Sequence, residues 1–201
     1  MITLYDMPLS GNCHKVRLLL SFLALPYQTQ AVDLRGGEQR GPDHLQRNPF
    51  GQVPVLDDDG RIIRDSQAIL VYLAKRFGGE QWWPDDAHTL AQIAAWLSTA
   101  ANEIANGPAK LRVHHKFGSP IDTVAAGQTA DKALGIIDHH LQRQDWLVGD
   151  SVSIADIAIY PYLALAPEGG LDIGAFPNII AWFQRIRALP AYVAMPGMWQ
   201  A

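Results

Sequence analysis

Residues 2–20 read ITLYDMPLSGNCHKVRLLL. Ile2–Asp6 alternates and is rich in strand formers. Gly11 and Asn12 suit a turn, and then Val16, Leu19, Leu20 and Leu23 recur at the i, i+3, i+4, i+7 spacing of a helix. Strand, turn and helix thus follow within one short span. The helix ends at LALPY (23–27), because the residue before a proline avoids helical backbone. QTQAV (28–32) reads as a second strand, giving β-α-β.

The rest of the N-terminal part extends this unit. DLRGGEQRGPD (33–43) is a polar loop with three glycines and a proline. VPVLD (53–57) and RIIRD (61–65), joined by the acidic turn DDG (58–60), read as a hairpin. A helix with Ile69, Tyr72, Leu73 and Phe77 on one face follows. At FGGEQWWPDDAH (77–88) the pattern breaks, and beyond it the periodicity is only helical. Ile93, Trp96, Leu97, Ala100 and Ile104 are helically spaced, as are Ile179, Trp182, Phe183 and Ile186. Pro108 is expected to bend or interrupt the first of these helices. The expected division is an α/β domain over 1–78, ordered βαβ-ββα, a linker over 79–87 and an all-helical domain over 88–201.

Composition narrows the function. Of 201 residues, 48% are hydrophobic, enough for a sizeable core, and the net charge is −4. An acidic balance argues against nucleic acid or an anionic membrane surface as partner, since both need clustered Lys and Arg. No apolar run approaches the ~20 residues that span a bilayer, and MITLYDMPLS lacks the basic and apolar regions of a secretion signal. A cytoplasmic protein is expected. Cys13 is the only cysteine, which excludes an intramolecular disulfide and a cysteine-based metal site. The pairs His114-His115 and His139-His140 are i,i+1 and share no helix face, so no metal is expected.

Three local features carry the candidate chemistry. In PLSGNCHKVRL (8–18), unpaired N–H groups at the start of the helix favour an anion. The Ser10 hydroxyl and the Asn12 amide can each donate to it. Alternatively Ser10 or Asn12 simply caps the helix. Cys13 lies near a helix N-terminus, where a thiol can be activated, yet it has no C-x-x-C partner and also suits a small apolar packing role. His14 and Lys15 are expected to be solvated. In GQVPVL (51–56), Pro54 stands where a central strand excludes proline. Either this is an edge strand, or a cis Val53-Pro54 peptide turns the Val53 backbone toward a ligand. In RDSQAIL (64–70), Ser66 can cap the next helix, whose start can bind a carboxylate, with Asp65 beside it to pair with an ammonium. Carboxylate and ammonium receptors side by side describe the end group of an α-amino acid.

This combination resembles the glutathione transferase family, of a bacterial Ser-type, theta- or nu-like kind, over essentially the whole chain. LSGNCHKVRLLL, GQVPVL and DSQAILVYL are similar to its thioredoxin-like domain. SIADIAIYPYL is similar to its capping box, with Ser153 and Asp156 as the box and Val152 and Ile157 as the staple. FPNIIAWFQRIRALPAY is similar to its penultimate helix. The resemblance implies a thioredoxin-like N-terminal domain, a helical C-terminal domain, glutathione as co-substrate and a homodimer. It implies that Ser10 and Asn12 face the glutathione sulfur, that Val53 before Pro54 pairs with the cysteinyl unit, and that Asp65 and Ser66 hold the γ-glutamyl end. Gln39 and Gln52 fall where the glycyl end lies. A small, mostly apolar electrophile would sit near Leu9 and the helix of Asn106, Lys110 and His114. The implied chemistry is conjugation by the activated thiol of glutathione. The alternatives are a glutathione-dependent disulfide or peroxide reductase, and a glutathione-binding or protein-interaction module without turnover.

Overall fold

The computed structural model describes residues 1–200; Ala201, the last residue of the expected helical domain, lies outside them. A four-stranded sheet of β1 (Ile2–Asp6), β2 (Tyr27–Ala31), β3 (Val55–Asp58) and β4 (Arg61–Arg64) has the order β2-β1-β3-β4. β1 pairs in parallel with β2, Ile2 opposite Tyr27, through the crossover helix α1 (Gly11–Phe22). It pairs antiparallel with β3, Leu4 opposite Leu56. β3 and β4 form the hairpin, Val55 opposite Arg64. Leu4 and Leu56 are fully buried, as expected of neighbouring strands that present one apolar face to covering helices.

The remaining elements of this half are a short helix α2 (Pro42–Arg47) and α3 (Ser66–Leu73). Pro54 lies just before β3 in the interior of the sheet order, and the Val53-Pro54 peptide is cis. The edge-strand alternative is therefore excluded. On α3, Ile69 and Leu73 are buried and Tyr72 donates to Asp58 at 2.6 Å, but Phe77 is 39% exposed with Arg76 over its ring. Phe77 departs from the expected face because the helix widens into a π-helical turn at Ala74–Gly78, which rotates later positions out of 3.6-residue register. The segment expected as a linker, 79–87, is in part packed structure. It opens with α4 (Gly79–Trp82), and Trp82 is buried and stacked on Phe22.

The second half is helical, and among the described residues no strand follows β4. α5 (Ala87–Thr99) runs through a π-helical stretch, Ala100–Ala109, into α6 (Lys110–Phe117). Pro108 sits inside that stretch: it offers no N–H to the ladder, and the wider turn absorbs the break instead of ending the helix. The stretch lies so close to α7 (Thr123–Leu141) that a Cβ on Gly107 would stand 2.8 Å from the Ala130 nitrogen. α8 (Ile154–Ala164) is buried along its whole length and packs on α1, α3 and α5, and α9 (Pro177–Arg187) completes the bundle.

The start of α8 shows the expected capping box. Asp156 is fully buried and accepts from the Ser153 N–H at 2.9 Å, the Ser153 hydroxyl at 3.1 Å, the Leu147 N–H at 3.0 Å and the Trp182 indole at 2.9 Å. Replacing Asp156 by Ala would strand several buried donors at once. An unmet buried donor costs roughly 1–3 kcal/mol, so Asp156→Ala is expected to lower the unfolding free energy by about 3 kcal/mol or more. Urea unfolding followed by tryptophan fluorescence measures this, and an unchanged midpoint would refute it.

Candidate active site

The site is assembled where β1 delivers the chain to α1. Ser10 is the N-cap of α1, and its Oγ accepts from the Cys13 N–H at 3.2 Å. The capping reading therefore holds. It leaves the hydroxyl proton free, because the cap uses only an oxygen lone pair. Asn12 is half-buried on the first turn, and its Oδ1 lies 3.4 Å from the Ser66 hydroxyl. The starts of α1 and α3 thus meet side by side.

Asp65, not Ser66, caps α3. Its Oδ1 accepts from the Gln67 and Ala68 N–H groups at 2.9 and 3.1 Å. Ser66 is the first helical residue and is buried. The difference comes from backbone geometry: Asp65 has φ of 73° and ψ of 130°, a strained setting for a non-glycine residue. It directs a short carboxylate over the helix start while leaving the second oxygen outside the cap.

Two glutamines were expected here. The loop before Pro54 is fastened from behind: the Gln52 carbonyl accepts from Asn48 Nδ2 at 2.8 Å and lies 3.0 Å from His44 Nε2. Both side chains are buried. Val53 is half-buried, and among the described residues no main-chain hydrogen bond outside the regular elements engages its N–H or C=O. Gly51, at φ of 60°, abuts the Gln39 carbonyl, where a Cβ would stand at 3.1 Å, so Gln39 and Gln52 lie in adjoining segments. Gln39 donates to the Leu34 carbonyl at 3.3 Å, and its Oε1 is buried without a partner.

Beside Ser10 opens a cleft of about 520 Å³ between the two halves, lined by Leu9, Ser10, Leu34, Arg112, Phe117 and Tyr162 among others. Leu9 is where the sequence put it. Asn106 and Lys110 instead face a separate groove with Ile121 and Thr129. The His114 Nδ1 lies 2.8 Å from the carbonyl of Ser119, a cleft-lining residue, and His114 itself does not line the cleft. The face of α6 that lines the cleft is Arg112, Val113 and Phe117; Lys110 and His114, which the resemblance placed there with Asn106, stand two residues either side of Arg112 and so point about half a turn away.

The first turn of α1 is far more enclosed than its polar residues suggest. His14 and Lys15, expected to be solvated, are both buried. Helix α1 is covered by α3 on one side and by α8 on another, and Tyr162 of α8 lies so close that a Cβ on Gly11 would stand 2.8 Å from its ring. The Lys15 ammonium lies 5.4 Å from the centre of the same ring. Burial pushes Cys13 up to about 12, with the Asp6 carboxylate adding to the effect. A thiol that stays protonated at neutral pH is no nucleophile, so Cys13 takes the packing role. Burial pushes Tyr162 up to about 12 as well, against the pull of Arg112. Neither Tyr162 nor the pair His44 and Asn48 was marked as part of the site by sequence. His44 and Asn48 fall in a polar segment, and the aromatic at 162 is one of many apolar residues on a buried helix.

Burial also pushes His14 down to about 3, with Arg17 adding to it, and Lys15 down to about 7, against the pull of Asp65. Between about 7 and 10.5 the unfolded chain holds the Lys15 proton and the folded chain releases it. Unfolding then takes up a proton, and stability rises with pH. Below about 7 both states are protonated and the contribution is flat. Lys15→Met is expected to remove this rise, so that its stability relative to the parent falls as pH increases from 7 to 10.5. Urea titrations at four pH values test this; parallel curves for the two proteins would contradict it.

The chain is similar to known proteins along most of its length. Its residues 4–81 match the family model "Glutathione S-transferase, N-terminal domain", and residues 110–190 match "Glutathione S-transferase, C-terminal domain". Glutathione S-transferase 3 of Zea mays is 32% identical over 95% of this chain and 91% of its own length. Glutathione S-transferase GstB of Escherichia coli K12 is 31% identical over 95% of each. A crystal structure of a glutathione S-transferase from Pseudomonas fluorescens Pf-5 superposes with a TM-score of 0.91 at 36% identity, covering 97% of this chain and 98% of that one.

Proposed function

The chain belongs to the glutathione S-transferase family, and on that premise we propose that Ser10 and Asn12 activate the thiol of bound glutathione for attack on a small, mostly apolar electrophile held in the cleft beside them. The observation that carries this reading is the state of Ser10: its lone pair is used by the Cys13 N–H, and its hydroxyl proton is free to point out of the helix start. A hydroxyl so fixed donates to an anion; it has no base to make it a nucleophile. Asn12 adds an amide donor on the same turn, and the helix N-terminus adds its partial charge.

Binding of the tripeptide follows from the surrounding groups. The Val53 backbone at the cis peptide suits the cysteinyl unit, with Pro54 setting the bend. Asp65 and the start of α3 at Ser66 suit the γ-glutamyl ammonium and carboxylate. Gln39 and Gln52 suit the glycyl end, where the unpartnered Gln39 Oε1 is complemented by an N–H donor. His44 and Asn48 act as positioning residues by holding the Gln52 carbonyl. Leu9, Leu34 and Phe117 give the cleft its apolar wall.

A free thiol titrates near ~8.5, so lowering it by two units is worth about 2.7 kcal/mol and makes most of the bound thiol reactive at neutral pH. The same reading includes a cytoplasmic homodimer, supported by the exposed alanines of α5 and the exposed Ile136 of α7; the oligomeric state in solution tests it.

The thiolate band near the far-ultraviolet edge, recorded on adding glutathione at pH 7, tests the activation directly. The parent protein is expected to show it and Ser10→Ala to lose most of it, with conjugation of an aryl halide falling about tenfold or more. Glutathione binding without a thiolate band in the parent would reject activation and favour a module without turnover. Reduction of a mixed disulfide faster than aryl-halide conjugation would favour the reductase.

A further inference from the structure

Arg112 projects from α6 into the wall of the cleft and is only 2% exposed. Its three nitrogens are in different states. Nε donates to Glu168 Oε2 at 2.7 Å, and Nη1 donates to the Leu9 carbonyl at 2.9 Å. Nη2 is buried and has no partner. A buried guanidinium nitrogen without an acceptor is costly, and stable folds rarely retain one.

Charge around Arg112 is also unbalanced. Glu168 is shared between Arg112 and Lys116, so two cations face one carboxylate, and the group carries a net charge of +1. The three do not form a closed pair, and the surplus lies buried in the wall of a cleft whose other charged residues, Asp33 and Arg35, are exposed. Position adds the third point. The carbonyl that Arg112 holds belongs to Leu9, the residue before Ser10, so the guanidinium is anchored one residue from the proposed sulfur site. Phe117, at 5.9 Å from the guanidinium carbon, flanks it with an aromatic ring.

We infer that Arg112 is the oxygen receptor of the second-substrate cleft, and that the electrophile is an alkene conjugated to a carbonyl or carboxylate. The inference rests on the glutathione reading above and gives its substrate class. In the reaction, the thiolate electron pair forms the S–C bond at the β-carbon, the C=C π pair becomes the double bond between the α-carbon and the carbonyl carbon, and the C=O π pair moves onto the oxygen. The enolate oxygen develops its charge beside Arg112, and the enolate then takes a proton from water at its α-carbon. The thiol proton has already left to solvent, no group departs and no redox partner enters. A fixed donor aimed at the oxygen where charge develops favours the transition state over the ground state. A haloalkane, which places no charge on oxygen, gains nothing from it.

The test uses stable adducts that all contain glutathione, measured by calorimetry on the intact protein: S-butylglutathione, S-(3-oxobutyl)glutathione and S-(2-carboxyethyl)glutathione. The two oxygen-bearing adducts are expected to bind about tenfold or more tighter than the butyl one. Arg112→Met is expected to abolish that preference, read as the ratio of oxygen-bearing to butyl affinity within the same variant. Arg112→Lys keeps a cation for Glu168 and is expected to reduce the preference even if the Met variant folds poorly. A gain for only one of the two adducts supports the inference and identifies a ketone or an acid. Equal binding of all three adducts, or a preference that survives both substitutions, would overturn it while glutathione binding stands. Failure of every adduct to bind would instead remove the glutathione reading, and this inference with it.

Discussion

The Asp156 carboxylate accepts four hydrogen bonds, from Leu147, from the backbone and hydroxyl of Ser153, and from the Trp182 indole. It joins the loop before α8, the first turn of α8 and the body of α9. Burial pushes its pKa up, and the four donors act against that. Such a carboxylate is tolerated only when fully satisfied. Its consequence is mechanical: α8, an apolar helix buried along its whole length, receives a fixed axial position. Tyr162, near the far end of α8, then meets Gly11 at the start of α1. The start of α1 is thereby held from the helical half of the chain.

This arrangement explains why the first turn of α1 is polar in sequence and dry in the structure. Ser10 and Asn12 occupy the rim, while Cys13, His14 and Lys15 are enclosed between the sheet, α3 and α8. Each enclosed group is driven toward its neutral form by burial. The charge available near the site comes instead from groups held in place elsewhere: the α1 N-terminus, Asp65 over α3, and the Arg112–Glu168–Lys116 group at the cleft wall.

The local pattern of the chain disclosed most of the fold. Alternation in Ile2–Asp6, helical spacing from Val16, the Asp-Gly hairpin and the capping box at Ser153 are short-range signals, and all correspond to observed elements. The helix cap at Ser10, the cis bond as one of two alternatives before Pro54 and the packing role of Cys13 were also legible; the cap of α3 was expected at Ser66 and falls to Asp65. The burial of His14 and Lys15 was not legible, since it depends on a helix more than a hundred residues later in the chain. The cleft-facing side of α6 was not legible: the resemblance placed Asn106, Lys110 and His114 at the cleft, but Lys110 and His114 stand two residues either side of Arg112, about half a turn away from it, and tertiary packing sets which side faces the cleft. His44 and Asn48 gave no signal, because holding the Gln52 backbone carbonyl leaves no side-chain pattern in the sequence.

The double duty of Ser10 has a consequence for how this chain can vary. One oxygen both ends the α1 ladder, through the Cys13 N–H, and carries the proton that the proposed function directs at the glutathione sulfur. Asp and Asn cap a helix at least as well as Ser, and a variant selected for stability alone has reason to take either. Asp would set a fixed negative charge where a thiolate must form. Asn would exchange a freely rotating hydroxyl for a planar amide, whose donor cannot turn outward without moving its acceptor off the cap. Robustness and reactivity therefore compete at a single atom, and threonine is the substitution that preserves both.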